Sequence, residues 1–196
     1  MQDVIRAMSL LRDVPVCLMQ CNTNYTGKDD NFECLNLNVI PQYAKGFPNA
    51  VIGLSDHSIG HVSVLGAVAL GARIIEKHFT DTPKAEGPDH GFSTTPQEWY
   101  QMVVETRQLE RALGDGAKKV EGNEQETVVL QRRCLRAARD LPAGHVLEYD
   151  DIVALRPAPF DSLPPHKIKD LLDKPLIGGM KAGEHFRRIL PLEVVG

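Results

Sequence analysis

Three short apolar runs, at residues 14–21, 50–55 and 72–79, mark the first part of the chain, and each turns polar at its C-terminal end. Unbroken apolar runs of this length, without alternation, are the pattern of strands buried on both faces of a parallel sheet. Helical periods lie between them. Residues 35–45 put Leu35, Leu37 and Ile40 on one side, and residues 60–70 carry Val62, Leu65, Val68 and Ala69 before Gly71 as a stop signal. Residues 3–11 predict a helix before the first strand. Thr95-Pro96-Gln97-Glu98 predicts the capped start of another, with a proline in its first turn, running through Trp99, Met102, Val103, Thr106, Leu109 and Leu113 to near Gly114.

The succession α-β-α-β-α-β-α implies an α/β fold with parallel strands and crossover helices. A whole (β/α)8 TIM barrel takes about 250 residues. The expectation for residues 1–115 is therefore a partial barrel, its last three strands, with the missing strands lying before Met1. Such a piece has two bare edges and an open core.

Residues 116–125 read as a polar linker, and the texture then changes. Residues 126–196 carry short β-like pieces at 134–138, 152–155 and 186–190, separated by Pro- and Gly-containing turns, which predicts one small β-rich domain. Leu141-Pro142-Ala143-Gly144-His145-Val146-Leu147 and Met180-Lys181-Ala182-Gly183-Glu184-His185-Phe186 follow one pattern, an internal pseudo-repeat.

A net charge of −4 gives no reason to expect nucleic acid as a partner. No stretch approaches the ~20 apolar residues of a membrane span, and the first residues do not form a secretory signal. Cys17, Cys21, Cys34 and Cys134 make no CxxC pattern. With Cys17 and Cys34 in apolar company, they read as free buried thiols of a reducing cytoplasm.

In a parallel barrel the chemistry sits at the C-terminal ends of strands. Those ends hold Gln20 to Tyr25, then Ser55-Asp56-His57-Ser58, then Lys77-His78-Phe79-Thr80 and a loop with Gly87-Pro88-Asp89-His90. His57 and His78 end consecutive strands, which lie about 4.8 Å apart. Two imidazoles at equal height could share a divalent cation, with Mn²⁺, Fe²⁺ and Zn²⁺ all suiting the donors. Equally, they could be ordinary polar residues at strand ends. Ser55 could hold an anionic substrate oxygen or satisfy a loop backbone group. Asp89 could accept from a sugar hydroxyl or cap its turn, and Thr23 and Tyr25 could donate to phosphate or carboxylate. His61 and His90 are spare candidates, His61 within a helix.

Taken in order, Gly53-Leu54-Ser55-Asp56-His57-Ser58-Ile59-Gly60, Gly66 to Ala72, Ile75-Glu76-Lys77-His78-Phe79-Thr80 and Gly87-Pro88-Asp89-His90 resemble the sialic acid (N-acetylneuraminate) synthase family. Arg132-Arg133-Cys134-Leu135, Ala143-Gly144 and Asp151 to Pro157 resemble that family's antifreeze-like SAF domain, a β-clip fold. The resemblance implies a carbon–carbon bond-forming transferase. Phosphoenolpyruvate condenses with N-acetylmannosamine or a related N-acylated amino sugar, giving a nonulosonic acid and phosphate. It implies His57 and His78 as metal ligands, with a divalent cation, Mn²⁺ foremost and Mg²⁺ or Co²⁺ as alternatives. It implies Thr23, Tyr25 and Ser55 on phosphoenolpyruvate, and Asp89 as a catalytic residue on the sugar. Arg156 would reach the sugar's N-acyl group from the partner subunit of a domain-swapped homodimer. Thr23 stands where the family has Asn, and Ala158 to Leu163 replaces the segment that usually follows Arg-Pro. The family's phosphate-binding lysines and catalytic Glu have no counterpart here, so the chain alone is expected to be inactive. The competing readings are a binding module for a carbohydrate or protein, and a metal-dependent aldolase on the same barrel.

Overall fold

Strands β1 (Cys17–Cys21), β2 (Val51–Asp56) and β3 (Ile74–Lys77) pair in parallel in the order β1-β2-β3. They belong to a computed structural model that describes residues 1–11 and 13–188. The chain divides into two compact units, Met1–Ala117 and Lys118–Gly196.

Between the strands lie α2 (Val39–Gly46) and α3 (Val62–Ala69), with α1 (Gln2–Leu10) before and α4 (Pro96–Leu113) after. Ile40 and Tyr43 of α2, Ile52 and Leu54 of β2, Ala67 of α3, and Ala72 form one buried cluster. That face of the sheet is closed. On the other, Cys17 and Glu76 are exposed, Ile74 is 38% exposed, and Met19 and Ser55 are half-buried.

The strands are shorter than their apolar runs. Pro15 has no N–H for a ladder, and β1 starts beyond it. Ala72 and Arg73 still serve other partners, Ala72 N–H closing α3 on the Ala67 carbonyl and Arg73 N–H reaching the Ile52 carbonyl. After Lys77 the chain leaves β2, and the His78 carbonyl accepts from Thr94 N–H at 2.8 Å.

The helix expected at 35–45 forms as α2 but begins only at Val39, and a separate 3-10 helix, Asp29–Cys34, precedes it. Pro41 decides this. In a helix begun at Leu35 it would be interior, losing a bond to the Leu37 carbonyl and clashing there. Starting at Val39 places it in the first turn, where no N–H is required, and Asn36 makes the break with φ 47°.

α3 ends as its glycine predicts. Gly71 has φ 102°, Gly71 N–H donates to the Val68 carbonyl and Ala72 N–H to that of Ala67, a Schellman motif. α4 opens on Thr95, whose hydroxyl accepts from Glu98 N–H while the Glu98 carboxylate accepts from Thr95 N–H, with Pro96 at the first position.

In the second unit β4 (Cys134–Ala137) and β5 (Ile152–Leu155) pair antiparallel. Leu135, Ala137, Leu141, Leu147, Ile152 and Phe186 form its core. Residues 118–124, read from the sequence as linker, lie in this unit and include a 3-10 turn, Gly122–Glu124, which leads into a helix, α5 (Gln125–Gln131). The two pseudo-repeat segments meet at their first residues, Leu141 and Met180 exchanging both backbone hydrogen bonds at 2.8 Å. Gly144 and Gly183 take the same left-handed turn, φ 79° and 81°. Of the piece expected at 186–190, Ile189 and Leu190 lie outside the described residues.

All four cysteines are free, but burial differs from expectation: Cys17 and Cys34 are exposed and Cys134 is buried. Cys17 sits on the open sheet face and Cys34 at the end of the 3-10 helix, so neither reaches the core. Among the described residues no helix is long and apolar enough to cross a membrane.

Candidate functional site

Parallel register sets the heights of the candidate residues. Ser55 pairs with Cys21 on one side and Glu76 on the other. His57 and His78 each lie two residues beyond that row, which returns them to the same open face. Their ring centroids are 5.0 Å apart.

His57 is buried, and its Nδ1 lies 2.8 Å from the Asn22 carbonyl oxygen. A carbonyl only accepts, so Nδ1 carries the proton of this bond. Cys21 Sγ lies 3.7 Å from the same nitrogen. His78 Nδ1 faces Asp89 Oδ2 at 3.5 Å. Ligand histidines characteristically turn their second nitrogen to a carbonyl or carboxylate in this way.

Aromatic rings wall the pair. Tyr25 stands 4.2 Å from His57 and 5.6 Å from His78, and Phe92 5.0 Å from His78. Of the sequence-derived candidates, the fold thus gathers Tyr25, His57, His78 and Asp89. Thr23 is exposed in the loop after β1. Ser55 is engaged differently from either sequence reading, its hydroxyl donating to Glu76 Oε2 at 2.7 Å. His90 Nδ1 is bonded to the Thr80 hydroxyl at 2.6 Å. His61 precedes α3 as its cap residue, and its Nε2 lies 2.8 Å from Glu105 of α4. In the second unit Arg156 is exposed at the end of β5 and is joined to Pro157 by a cis peptide.

Sequence reasoning missed Phe92, Glu76, Asp56 and Lys77. The last two carried a usable signal: charged residues on the helix-facing side of apolar strands are seldom buried unless paired. Phe92 had none, since it follows a loop whose path the sequence does not reveal.

The donor set fits a divalent cation in part. The two imidazole rings lie 5.0 Å apart, and among the described residues no group of three or more His, Cys, Asp or Glu is placed to hold a metal ion. The remaining positions would fall to non-protein ligands, as in sites that keep coordination open for chemistry.

The first unit is thus a parallel α/β unit with two histidines side by side just beyond adjacent strand ends. Residues 1–118 match the NeuB family, and residues 132–187 match the SAF domain. The chain belongs to the NeuB family. It is 38% identical over 144 residues to N,N'-diacetyllegionaminic acid synthase of Campylobacter jejuni, covering 73% of this chain and 42% of that protein. It is 32% identical over 161 residues to human N-acetylneuraminate-9-phosphate synthase, covering 82% and 44%. The chain thus spans less than half the length of these relatives. Among solved structures it resembles the N-acetylneuraminic acid synthetase of Leptospira borgpetersenii in complex with citrate, with TM-score 0.56 and 32% identity over 65% of this chain and 44% of that one. It also resembles the spore coat polysaccharide biosynthesis protein spsE of Bacillus subtilis, with TM-score 0.52 and 28% identity over 95% and 56%.

Proposed function

We propose that this chain supplies the histidine-bearing part of a nonulosonic acid synthase, which joins C3 of phosphoenolpyruvate to the aldehyde carbon of an open-chain N-acylated amino sugar. Water adds at C2 and phosphate leaves by C–O cleavage, so that the products are a nine-carbon keto acid and inorganic phosphate. The observation that carries the reading is the convergence of His57 and His78, 5.0 Å apart, in a chain of the NeuB family. The three βα units are read as part of a closed (β/α)8 barrel, which their sequential parallel order and the placement of the site at the C-terminal strand ends support.

His57 and His78 would hold a divalent cation, Mn²⁺ by preference, through their Nε2 atoms. Such a cation supplies Lewis-acid polarisation of the sugar's carbonyl oxygen. The protein's own part is orientation. Asn22 fixes the His57 tautomer, Asp89 lies beside His78 where a sugar hydroxyl could also be met, and Tyr25 and Phe92 keep bulk water from one side. Ser55 would meet the anionic substrate by turning its hydroxyl away from Glu76, and Thr23 and Tyr25 lie on the loop that would grip it. Holding two reactants in attack geometry is worth several kcal/mol of barrier. Arg156, forked and permanently charged, would recognise the N-acyl carbonyl from the partner subunit of a swapped homodimer.

The test is a chimaera joining this chain to the portion of the Campylobacter jejuni synthase that it does not match. Phosphate release from phosphoenolpyruvate should require both an N-acylated amino sugar and a divalent cation. His57→Ala and His78→Ala should each lower kcat/KM about 10³-fold. Parental rates in either variant after chelation would rule the shared site out.

A further inference from the structure

Residues that alternate with the proposed ligands point the other way. With Ser55 and His57 on the open face, Asp56 turns toward the helices, as does Lys77 between Glu76 and His78. They meet there, Lys77 Nζ lying 2.8 Å from Asp56 Oδ2 with side-chain exposures of 1% and 0%. Asp56 is a fully used acceptor. Its Oδ1 receives Ser58 N–H at 3.0 Å and the Ser58 hydroxyl at 2.7 Å. Its Oδ2 receives the Ser63 hydroxyl at 2.6 Å besides Lys77. Lys77 also donates to the Ser58 carbonyl. Ser58 is therefore held at its N–H, its hydroxyl and its carbonyl by this one pair, and Ser63 brings in the first turn of α3.

A buried ion pair is a poor way to gain stability, because apolar residues of similar volume often do as well or better. The pair's distinctive property is direction. It immobilises the residues on both sides of His57 and the residue before His78, and it bonds the two strand ends to each other. We infer that Asp56 and Lys77 are positioning residues that set the mutual placement of the His57 and His78 rings. The inference rests on the reading of those histidines as cation ligands. Neither residue touches substrate, since both face away from the open side of the sheet.

The experiment titrates Mn²⁺ alone into the full chain by calorimetry. In parallel, nuclear magnetic resonance follows the His57 Nδ1–H, which its bond to the Asn22 carbonyl should protect from exchange. The variant is the double substitution Asp56→Leu with Lys77→Met. With its secondary structure checked by far-ultraviolet circular dichroism, it should lose about 10- to 100-fold in Mn²⁺ affinity, the usual effect of removing support behind ligands, and lose protection of the ring proton. Should the double variant not fold, Asp56→Asn keeps the shape and should give about a tenfold loss of affinity with the same loss of protection. A folded variant with parental Mn²⁺ affinity and a protected ring proton overturns the inference. If the parent binds no Mn²⁺ and the variant still loses protection, the cation reading falls and the positioning role stands.

Discussion

Asp151 has no exposed surface, yet it is held ionised. Glu148 N–H at 3.0 Å and His145 Nε2 at 2.6 Å bond one carboxylate oxygen, and Arg139 approaches the other through two nitrogens, the nearer at 2.6 Å. The Glu148 N–H first, then His145, then Arg139 hold its carboxyl well below the usual carboxylate range, against the opposing effect of burial. A folded-state pKa depressed in this way contributes stability that is fully present above the unfolded value of about 3.9 and is lost as pH falls below it. Asp151→Asn should therefore lower the melting temperature of the second unit at pH 7 by about 5–10 °C. It should also flatten the fall in stability between about pH 5 and pH 2, read from thermal melts across that range. An unchanged acid limb would show that other carboxylates dominate it. At this scale the sequence showed His57 and His78 readily, because two strand-end histidines in order are a local signal. It did not show which partner each side chain takes. Ser55 bonds a carboxylate on the next strand, a choice made only when β2 and β3 align.

Elements were legible where their own residues decide them. Thr95, Pro96 and Glu98 define the start of α4 without tertiary help, and Gly71 ends α3 in the same way. Boundaries were lost where a competing local rule acted. Pro41 moved the start of α2 from residue 35 to Val39, and the 3-10 helix Asp29–Cys34 had no periodic signature to read. The α4 cap permits a direct check. Thr95 N–H, ahead of the Thr95 hydroxyl, holds the Glu98 carboxyl below its ordinary value. Thr95→Ala removes the hydroxyl and should destabilise the protein by about 1 kcal/mol in urea titrations, whereas Thr95→Ser should stay near the parent. Equal losses in both would mean that the Thr95 methyl packs, and that the cap contributes little.

For the whole molecule, the two units differ in how completely they enclose apolar surface. The second surrounds Leu135, Leu147 and Phe186 within its own residues. The first closes only one face of its sheet, and among the described residues β1 and β3 each have a strand neighbour on one side only. Residues 118–196 expressed alone should melt cooperatively in calorimetry. Residues 1–117 alone should self-associate in sedimentation, because a bare strand edge invites pairing. A monomeric, cooperatively melting first unit would contradict this. The ladder that leaves those edges open also has a use. Each β2 residue from Gly53 to Asp56 pairs with the one 21 positions later, and the two histidines continue that offset. Strand register sets the residues just before them side by side, whatever the length of the connecting segment. A surface insertion in that segment costs only slowly growing closure entropy. Outside Ser58, Ser63, Lys77 and the buried positions of α3, the exposed turns between the histidines are therefore evolvable, free to lengthen or diversify over generations while the distance between the two rings stays constant.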